Sequence, residues 1–455
     1  MAYGNSGGMR IPTTADLVSM WNASGLKEKL IFTFLMLVLF RLGIRLPLFG
    51  VNNENFANLA AQNNILGFLD LFSGGALGKV SIFALGIGPY ITSSIIMQLM
   101  AVIIPSLEKL QKEEGEAGRR KINEITRYLG LLLGAVQAYG MIVTLDNRGT
   151  FDFSAIFPDM SSKWPAYVYV IAIMLAGTMF VMWLSDQITQ KGIGNGVSMI
   201  IFAGIVKEIP ASYSQVWDIL VGTKTAGAEM FNGLLLFIAY VAYTAFIILF
   251  VIFFELARRK IPIQQSKATF SQQAKMNYLP IKVNPGGVIP VIFAQAVLSA
   301  PVTILGFIDA NSDAYEKIKN LFSISHLENG WPVALIIYIV LIFLFSFMYA
   351  HIQIDCEKIS ENLTKQGSYI PGIHSGTETR KYLTKVLNRV TFTGAVSLSF
   401  IAAMPYVVPM IFPALANTSF GGTGLIIVVG VALEATSQME GYAAERNYRT
   451  FNFNF

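Results

Sequence analysis

Histidines, cysteines and paired carboxylates carry most enzyme chemistry, and this sequence spaces none of them for it. His326, His351 and His374 stand far apart and no His-Glu-x-x-His occurs, so a helix-borne zinc site is not built. Cys356 is the single cysteine, which excludes an intrachain disulfide and a Cys-based zinc site. Gly192-Ile-Gly-Asn-Gly196 has the outline of a phosphate-binding turn, yet no strand precedes it and the rest of that spacing is missing. A hinge at the start of a helix is the better reading. No nucleophile has a base beside it in the sequence, and neither enzymatic activity nor a cofactor is expected.

The remaining chemistry is that of charge in an apolar setting. Of 455 residues, 54% are hydrophobic and 13% charged, which fits a polytopic membrane protein rather than several soluble domains. Ion-coupled carriers place ionisable groups at mid-membrane, at a cost that only function justifies. The candidates here are Arg41 and Arg45 near the outer end of the first apolar run, Glu255 and His351 at inner ends, and Glu434 in the last run. Most can snorkel to an interface, and Glu434 is the one to watch. Mid-membrane positions are otherwise Ile, Val, Leu and Gly, which suits a pathway that must not hold what passes through it. Channel and carrier both remain open at this point.

Runs long enough to span predict about ten helices, near 30–49, 80–104, 125–145, 164–184, 196–209, 234–254, 287–307, 333–350, 390–411 and 424–439. The N-terminal stretch is polar and Gly-rich, so no cleavable signal peptide is expected. Lys109, Lys112, Arg119, Arg120, Lys121 and Arg127 collect between the second and third runs. Arg258, Arg259, Lys260, Lys267, Lys275 and Lys282 lie between the sixth and seventh, and Lys358, Lys365, Arg380, Lys381 and Lys385 between the eighth and ninth. By the positive-inside rule these loops and both termini face the cytoplasm. Between Ile65 and Pro105 a half-length apolar piece joins an interrupted one through Ser73-Gly74-Gly75, the pattern of a re-entrant segment lining a cavity. Gly86-Ile-Gly-Pro89 recurs as Gly287-Val-Ile-Pro290 in the second run of the second half, which points to two related halves with a pathway between them. The stretch 262–285 is too long for a turn and is expected to form an ordered protrusion.

The run Asp70-Leu-Phe-Ser-Gly-Gly-Ala-Leu, followed by Ser81-Ile-Phe-Ala-Leu-Gly-Ile-Gly-Pro-Tyr-Ile-Thr-Ser-Ser, closely resembles the SecY family of protein-conducting channels. Asp186-Gln-Ile-Thr-Gln-Lys-Gly-Ile-Gly-Asn-Gly, Lys282-Val-Asn-Pro-Gly-Gly-Val-Ile-Pro and Pro371-Gly-Ile extend the resemblance over nearly the whole chain, in order. It implies an all-α membrane protein of about ten transmembrane helices, in two pseudo-symmetric five-helix halves around an hourglass pore with a re-entrant plug helix. The pore would open sideways between helices two, three, seven and eight. The implied layout is a cytoplasmic segment 1–29, a first half 30–212, an external loop 213–233, a second half 234–442 with cytoplasmic loops 255–286 and 351–389, and a tail 443–455.

The same resemblance implies a pore ring of Ile87, Ile91, Val197, Ile201, Ile292 and Ile427, with Val197 standing where isoleucine is common. Ile65, Leu66, Phe68, Leu69, Leu71 and Phe72 would belong to the plug, Ser73, Gly74 and Gly75 to its hinge, and Asn195 would lie near the constriction. Ile337 is expected to face lipid. The implied function is passage of unfolded secretory polypeptides across the membrane and lateral release of apolar segments into lipid. Its partners would be a SecE-like clamp subunit, a SecG-like subunit, and a SecA-like motor ATPase or a ribosome at the cytoplasmic loops, along with signal sequences or nascent chains and membrane lipid. Arg258, Arg259 and Lys260 form a basic run suited to ribosomal RNA phosphate, or simply a topogenic cluster. His374 stands where many members carry an arginine tied to motor engagement, and it lacks the guanidinium fork, unless Arg380 compensates. The implied location is the bacterial plasma (inner) membrane.

Overall fold

Each of the ten apolar runs folds as a helix. The computed structural model describes residues 25–48, 73–112, 115–147, 163–222, 227–265, 277–308, 317–318, 321–322, 333–411 and 422–451. The spans of the first half are α1 (Leu26–Ile44), α2 (Gly88–Ile103), α4 (Gly115–Asn147), α5 (Trp164–Lys191) and α6 (Gly196–Trp217), with the short α3 (Pro105–Lys112) between the second and third. Those of the second half are α7 (Ala228–Leu256), α8 (Ile289–Ile308), α9 (Val333–Gln353), α11 (Thr377–Ile411) and α12 (Gly422–Phe451), with the short α10 (Cys356–Lys365) after α9. The stretches Trp164–Lys191, Gly196–Gly222, Glu229–Leu256, Val333–Lys365 and Thr377–Val407 are long and apolar enough to cross a bilayer by themselves. Large apolar side chains also face outward, among them Phe34, Leu42, Val168, Phe231, Leu249 and Phe253. Such a belt is intolerable in water and is the natural surface of a protein solvated by lipid.

The two halves carry the same device at the start of their second span. Gly86 and Gly287 have φ of 54° and 58°, in the left-handed region that glycine enters without strain. Each stands two residues before its helix, and Pro89 and Pro290 are the second residues of α2 and α8, where a missing N–H costs nothing. Residues 80–87, read from sequence as the first turns of a span, are therefore a run of turns, and α2 begins only at Gly88. α6 departs the other way. The sequence ends it at Ile209, before Pro210, but the helix continues through the proline to Trp217 and a π-turn at Asp218–Gly222. Buried Val216, Leu220 and Val221 pack there against Tyr240 of α7, and this tertiary packing outweighs the lost hydrogen bond.

α4 and α11 run 33 and 35 residues. At about 1.5 Å per residue each exceeds a hydrocarbon core of about 30 Å, so their basic first turns project beyond it. The expected protrusion after α7 is a β-hairpin, β1 (Arg258–Gln265) and β2 (Asn277–Lys282), in antiparallel register from Arg258 opposite Lys282 to Ile263 opposite Asn277. A third strand, β3 (Ser368–Tyr369), pairs antiparallel with Gln264 and Gln265, so the order is β2-β1-β3. The two basic loops are thus one body. Its core joins Ile261 and Ile281 of the hairpin to Cys356, Ile370, Leu383 and Leu387.

Candidate functional site

The main apolar core crosses between the halves, and most of the expected ring lies in it. Ile87, Ile91, Ile201, Ile292 and Ile427 are buried members of one contiguous cluster, and half-buried Val197 packs against it. Ile87 and Ile91 come from the start of α2, Val197 and Ile201 from α6, Ile292 from α8 and Ile427 from α12. The left-handed glycines 86 and 287 set where α2 and α8 begin, and so place Ile87 and Ile292 in the cluster. Ile337 does not face outward as expected. It is half-buried against the same cluster, whereas Val340, one turn on, is 58% exposed.

The Gly192–Gly196 turn is a joint between helices. The N–H of Ile193 donates to Thr33 Oγ1 of α1 (3.0 Å), that of Gly194 to Gln438 Oε1 of α12 (2.8 Å) and that of Gly196 to Thr189 Oγ1 of α5 (2.8 Å). Asn195 is the N-cap of α6, accepting from Val197 N at 3.0 Å. With these donors committed, the turn offers no cradle for phosphate. Gly196 has no room for a side chain, since a Cβ there would lie 1.9 Å from the carbonyl oxygen of Ser185.

Of the plug and its hinge, Ser73, Gly74 and Gly75 are described; Ile65, Leu66, Phe68, Leu69, Leu71 and Phe72 lie outside the described residues. The hinge is firmly held. Ser73 is buried and its Oγ accepts from the N–H groups of Ala76 and Leu77 at 3.1 and 2.9 Å. Gly74 and Gly75 take φ of 70° and 84°. Arg41, expected to snorkel outward, turns inward instead: its guanidinium donates to Gly74 O at 2.8 Å and to the α6 carbonyls of Ala203 and, at 3.4 Å, Gly204. Beside it Lys207 pairs with Glu208 at 2.9 Å.

Glu434 is not an isolated mid-membrane carboxylate. Its electrostatic neighbours are Lys282 at the end of β2 and Glu255 at the end of α7. Glu255 in turn accepts from Asn284 Nδ2 at 3.0 Å, and the same amide donates to Gly287 O at 2.8 Å. Glu255 thus serves the start of α8 through the Asn284 amide.

Sequence reasoning missed a polar bridge between the halves. Tyr349 Oη of α9 donates to Gln98 Oε1 of α2, while Gln98 Nε2 donates to Ser94 Oγ at 3.1 Å. A lone glutamine inside an apolar run was the available signal. On the sheet-bearing side Arg258, Arg259 and Lys260 are exposed at the start of β1. His374 is exposed on a turn held by Thr379 Oγ1, which donates to its carbonyl at 2.9 Å. Arg380, on the same surface, pairs with Glu357 at 2.7 Å, and both side chains are exposed.

These features define a multi-pass helical membrane protein with an apolar waist between two related halves. The chain belongs to the SecY family, whose model matches residues 81–436. It is 39% identical over 437 residues to the protein translocase subunit SecY of Halalkalibacterium halodurans, covering 95% of this chain and 98% of that protein. It is also 39% identical over 439 residues to the SecY subunit of Staphylococcus aureus, covering 96% and 98%. Among solved structures, a protein-conducting channel matches with TM-score 0.60 at 19% identity, over 92% of each chain. Sec61 of the canine ribosome-channel complex from the endoplasmic reticulum matches with TM-score 0.56 at 18% identity, again over 92% of each chain.

Proposed function

We propose that this chain is the channel subunit of a protein translocase, passing unfolded polypeptides across a membrane and releasing apolar segments sideways into lipid. The observation that carries the reading is the waist: five isoleucines from α2, α6, α8 and α12 buried in one cluster that spans both halves, with Val197 packed beside them. Aliphatic side chains at a constriction exclude water and ions by dewetting, yet yield to a chain of any sequence because they offer it no polar site. The plug, with 65–72 as its apolar part, would close this ring from outside. Energy comes from a partner, since nothing in the site performs covalent chemistry.

The finer assignments belong to the same proposal. The membrane is the bacterial plasma membrane, with the sheet, the first turns of α4 and α11 and both termini in the cytoplasm, as the Lys and Arg excess there favours. A SecE-like clamp and a SecG-like subunit complete the complex. A SecA-like motor or a ribosome docks on the sheet and the His374 turn. The Sec61 and Ssh1 relatives of this fold are described in ribosome complexes, and the basic run Arg258–Lys260 has the charge to meet RNA phosphate.

The test is transport by the purified chain with its partner subunits and motor in sealed vesicles. An unfolded secretory precursor should become protected from external protease in a manner that needs a nucleotide. Accumulation of a small solute with the precursor left outside would instead mark a carrier.

A further inference from the structure

The backbone that leads from β2 into α8 is gripped by the helices it passes. The N–H of Val283 donates to the carbonyl of Ala257 at 2.9 Å and closes the foot of the hairpin. A Cβ on Gly394 of α11 would lie 2.4 Å from the Val283 carbonyl oxygen, and one on Gly430 of α12 would lie 2.5 Å from Val288 Cγ1. Both helices therefore carry glycine where this segment crosses them, because nothing larger fits.

One polar side chain is buried in that grip. Asn284 Nδ2 donates to Glu255 Oε2 of α7 at 3.0 Å and to the carbonyl of Gly287 at 2.8 Å. An amide nitrogen has two hydrogens, and both are committed. The N–H of Gly287 reaches back to the Asn284 carbonyl at 3.4 Å, so the side chain and the backbone close the same turn, with Gly287 at a φ of 58°. Asn284 is not the cap of α8, which begins only at Ile289. Its second bond instead ties the turn to the end of the preceding span.

The waist begins just beyond. The N–H groups of Val291 and Ile292 both reach the Val288 carbonyl, at 3.2 and 3.3 Å, so the turn before them decides where Ile292 lies. Apolar packing alone lets a helix end slide, whereas two hydrogen bonds from one planar amide fix both distance and direction.

We propose that Asn284, held by Glu255, is a positioning residue for the waist: its amide sets the height and rotation of the first turn of α8 against α7, and passes a displacement of the hairpin on to Ile292. The inference rests on the reading of Ile292 as part of a channel seal. Glu255 also has charged neighbours in Lys282 and Glu434, so the test has to separate its charge from its hydrogen bond.

Hydrogen exchange and planar-bilayer conductance of the full-length chain provide that test, for wild type, Asn284→Ala, Glu255→Leu, the two combined, and Glu255→Gln. A thermal melt checks folding. Asn284→Ala and Glu255→Leu should each speed exchange at Ile289, Val291 and Ile292 roughly tenfold, leave the β1–β2 ladder unchanged, and raise ion conductance roughly tenfold. The combined variant should match Asn284→Ala, since the bond is already gone. Glu255→Gln removes the charge but keeps an acceptor for Asn284, and should behave as wild type. Should Asn284→Ala fail to fold, Glu255→Leu against Glu255→Gln still decides. Unchanged exchange in Glu255→Leu, additive effects in the combined variant, or a Glu255→Gln that behaves as Glu255→Leu would overturn the proposal. So would faster exchange with wild-type conductance while Ile292→Asn leaks. If Ile292→Asn is silent as well, it is the channel reading that fails, and the positioning role falls with it.

Discussion

The phenol of Tyr349 in α9 donates to the side-chain carbonyl of Gln98 in α2, joining residues 251 positions apart and from different halves of the chain. The tyrosine is buried, and its ring packs edge-on against Phe293 of α8 at 5.2 Å. α8 in turn packs on α4, so the bridge lies along the seam where α2 and α4 meet α8 and α9. An apolar segment that leaves sideways has to part these helices and break this bond. Tyr349→Phe keeps the ring and removes the donor, leaving the half-buried Gln98 amide oxygen unpaired at about 1 kcal/mol or more. The open fraction should rise roughly tenfold or more, read as slower and less complete disulfide trapping of the shut seam between engineered cysteines on α2 and α9. Unaltered trapping would mean that packing alone holds the seam.

The waist makes a second prediction. If each aliphatic contact stabilises the shut state by ~1.5–3 kcal/mol, Ile292→Asn or Ile427→Asn should raise ion conductance in planar bilayers by one to two orders of magnitude. The same variants should admit precursors with defective signal sequences, and Ile→Leu at either site should do neither. Val340→Ala is the outward-facing control, because Ile337 packs on the cluster. Wild-type conductance in folded asparagine variants would remove these residues from the seal.

Arg41 gives a third. Its guanidinium spans from the Gly74 carbonyl to the carbonyls of α6, so it ties the base of the plug segment to the wall of the first half. Hydrogen bonds from a charged donor contribute about 1.5–3 kcal/mol, and a lysine cannot reproduce the fork. Arg41→Gln and Arg41→Lys should both loosen the hinge, seen as faster hydrogen exchange at Ala76 and Leu77 and as added leak current. Exchange unchanged in both variants would leave Ser73 as the sufficient anchor.

Much of this was legible in the chain, and the exceptions share a cause. Nine of the spans follow from apolar length, while the fifth, short and Gly-flanked at 196–209, needs the family resemblance as well; the paired glycines mark where α2 and α8 are interrupted, because only backbone chemistry is needed there. The hairpin is legible only as an ordered protrusion, because length alone announces it, and its strands carry Pro262 and Pro280, which a ladder tolerates only at special positions. The structure accommodates both: β2 is an edge strand, and β3 reaches only Gln264 and Gln265, leaving β1 open on one side at Pro262. The inward turn of Arg41, the continuation of α6 past Pro210 and the bridge from Tyr349 to Gln98 each depend on a partner far away in sequence. Periodicity and composition carry no trace of such partners.

Topology supplies a fourth prediction. Single cysteines at Lys121, Lys260 and Lys381, in a Cys356→Ser background, should label with a membrane-impermeant maleimide only from the side that carries the sheet. Cys356 itself is 9% exposed in the core beneath the sheet, so it should label slowly until the protein is unfolded. Labelling of Lys121→Cys from one side and Lys381→Cys from the other would contradict the ten-span arrangement.

The three-stranded sheet has a mechanical consequence. β1 continues from α7, β2 leads into α8, and β3 sits between α10 and α11, all welded by backbone hydrogen bonds and one apolar core. A machine that grips any of these strands therefore pulls on α7, α8, α9 and α11 together. The second half of the channel presents one handle instead of two independent levers, and the first half, riveted through the Gly192–Gly196 turn, is the frame against which that handle turns.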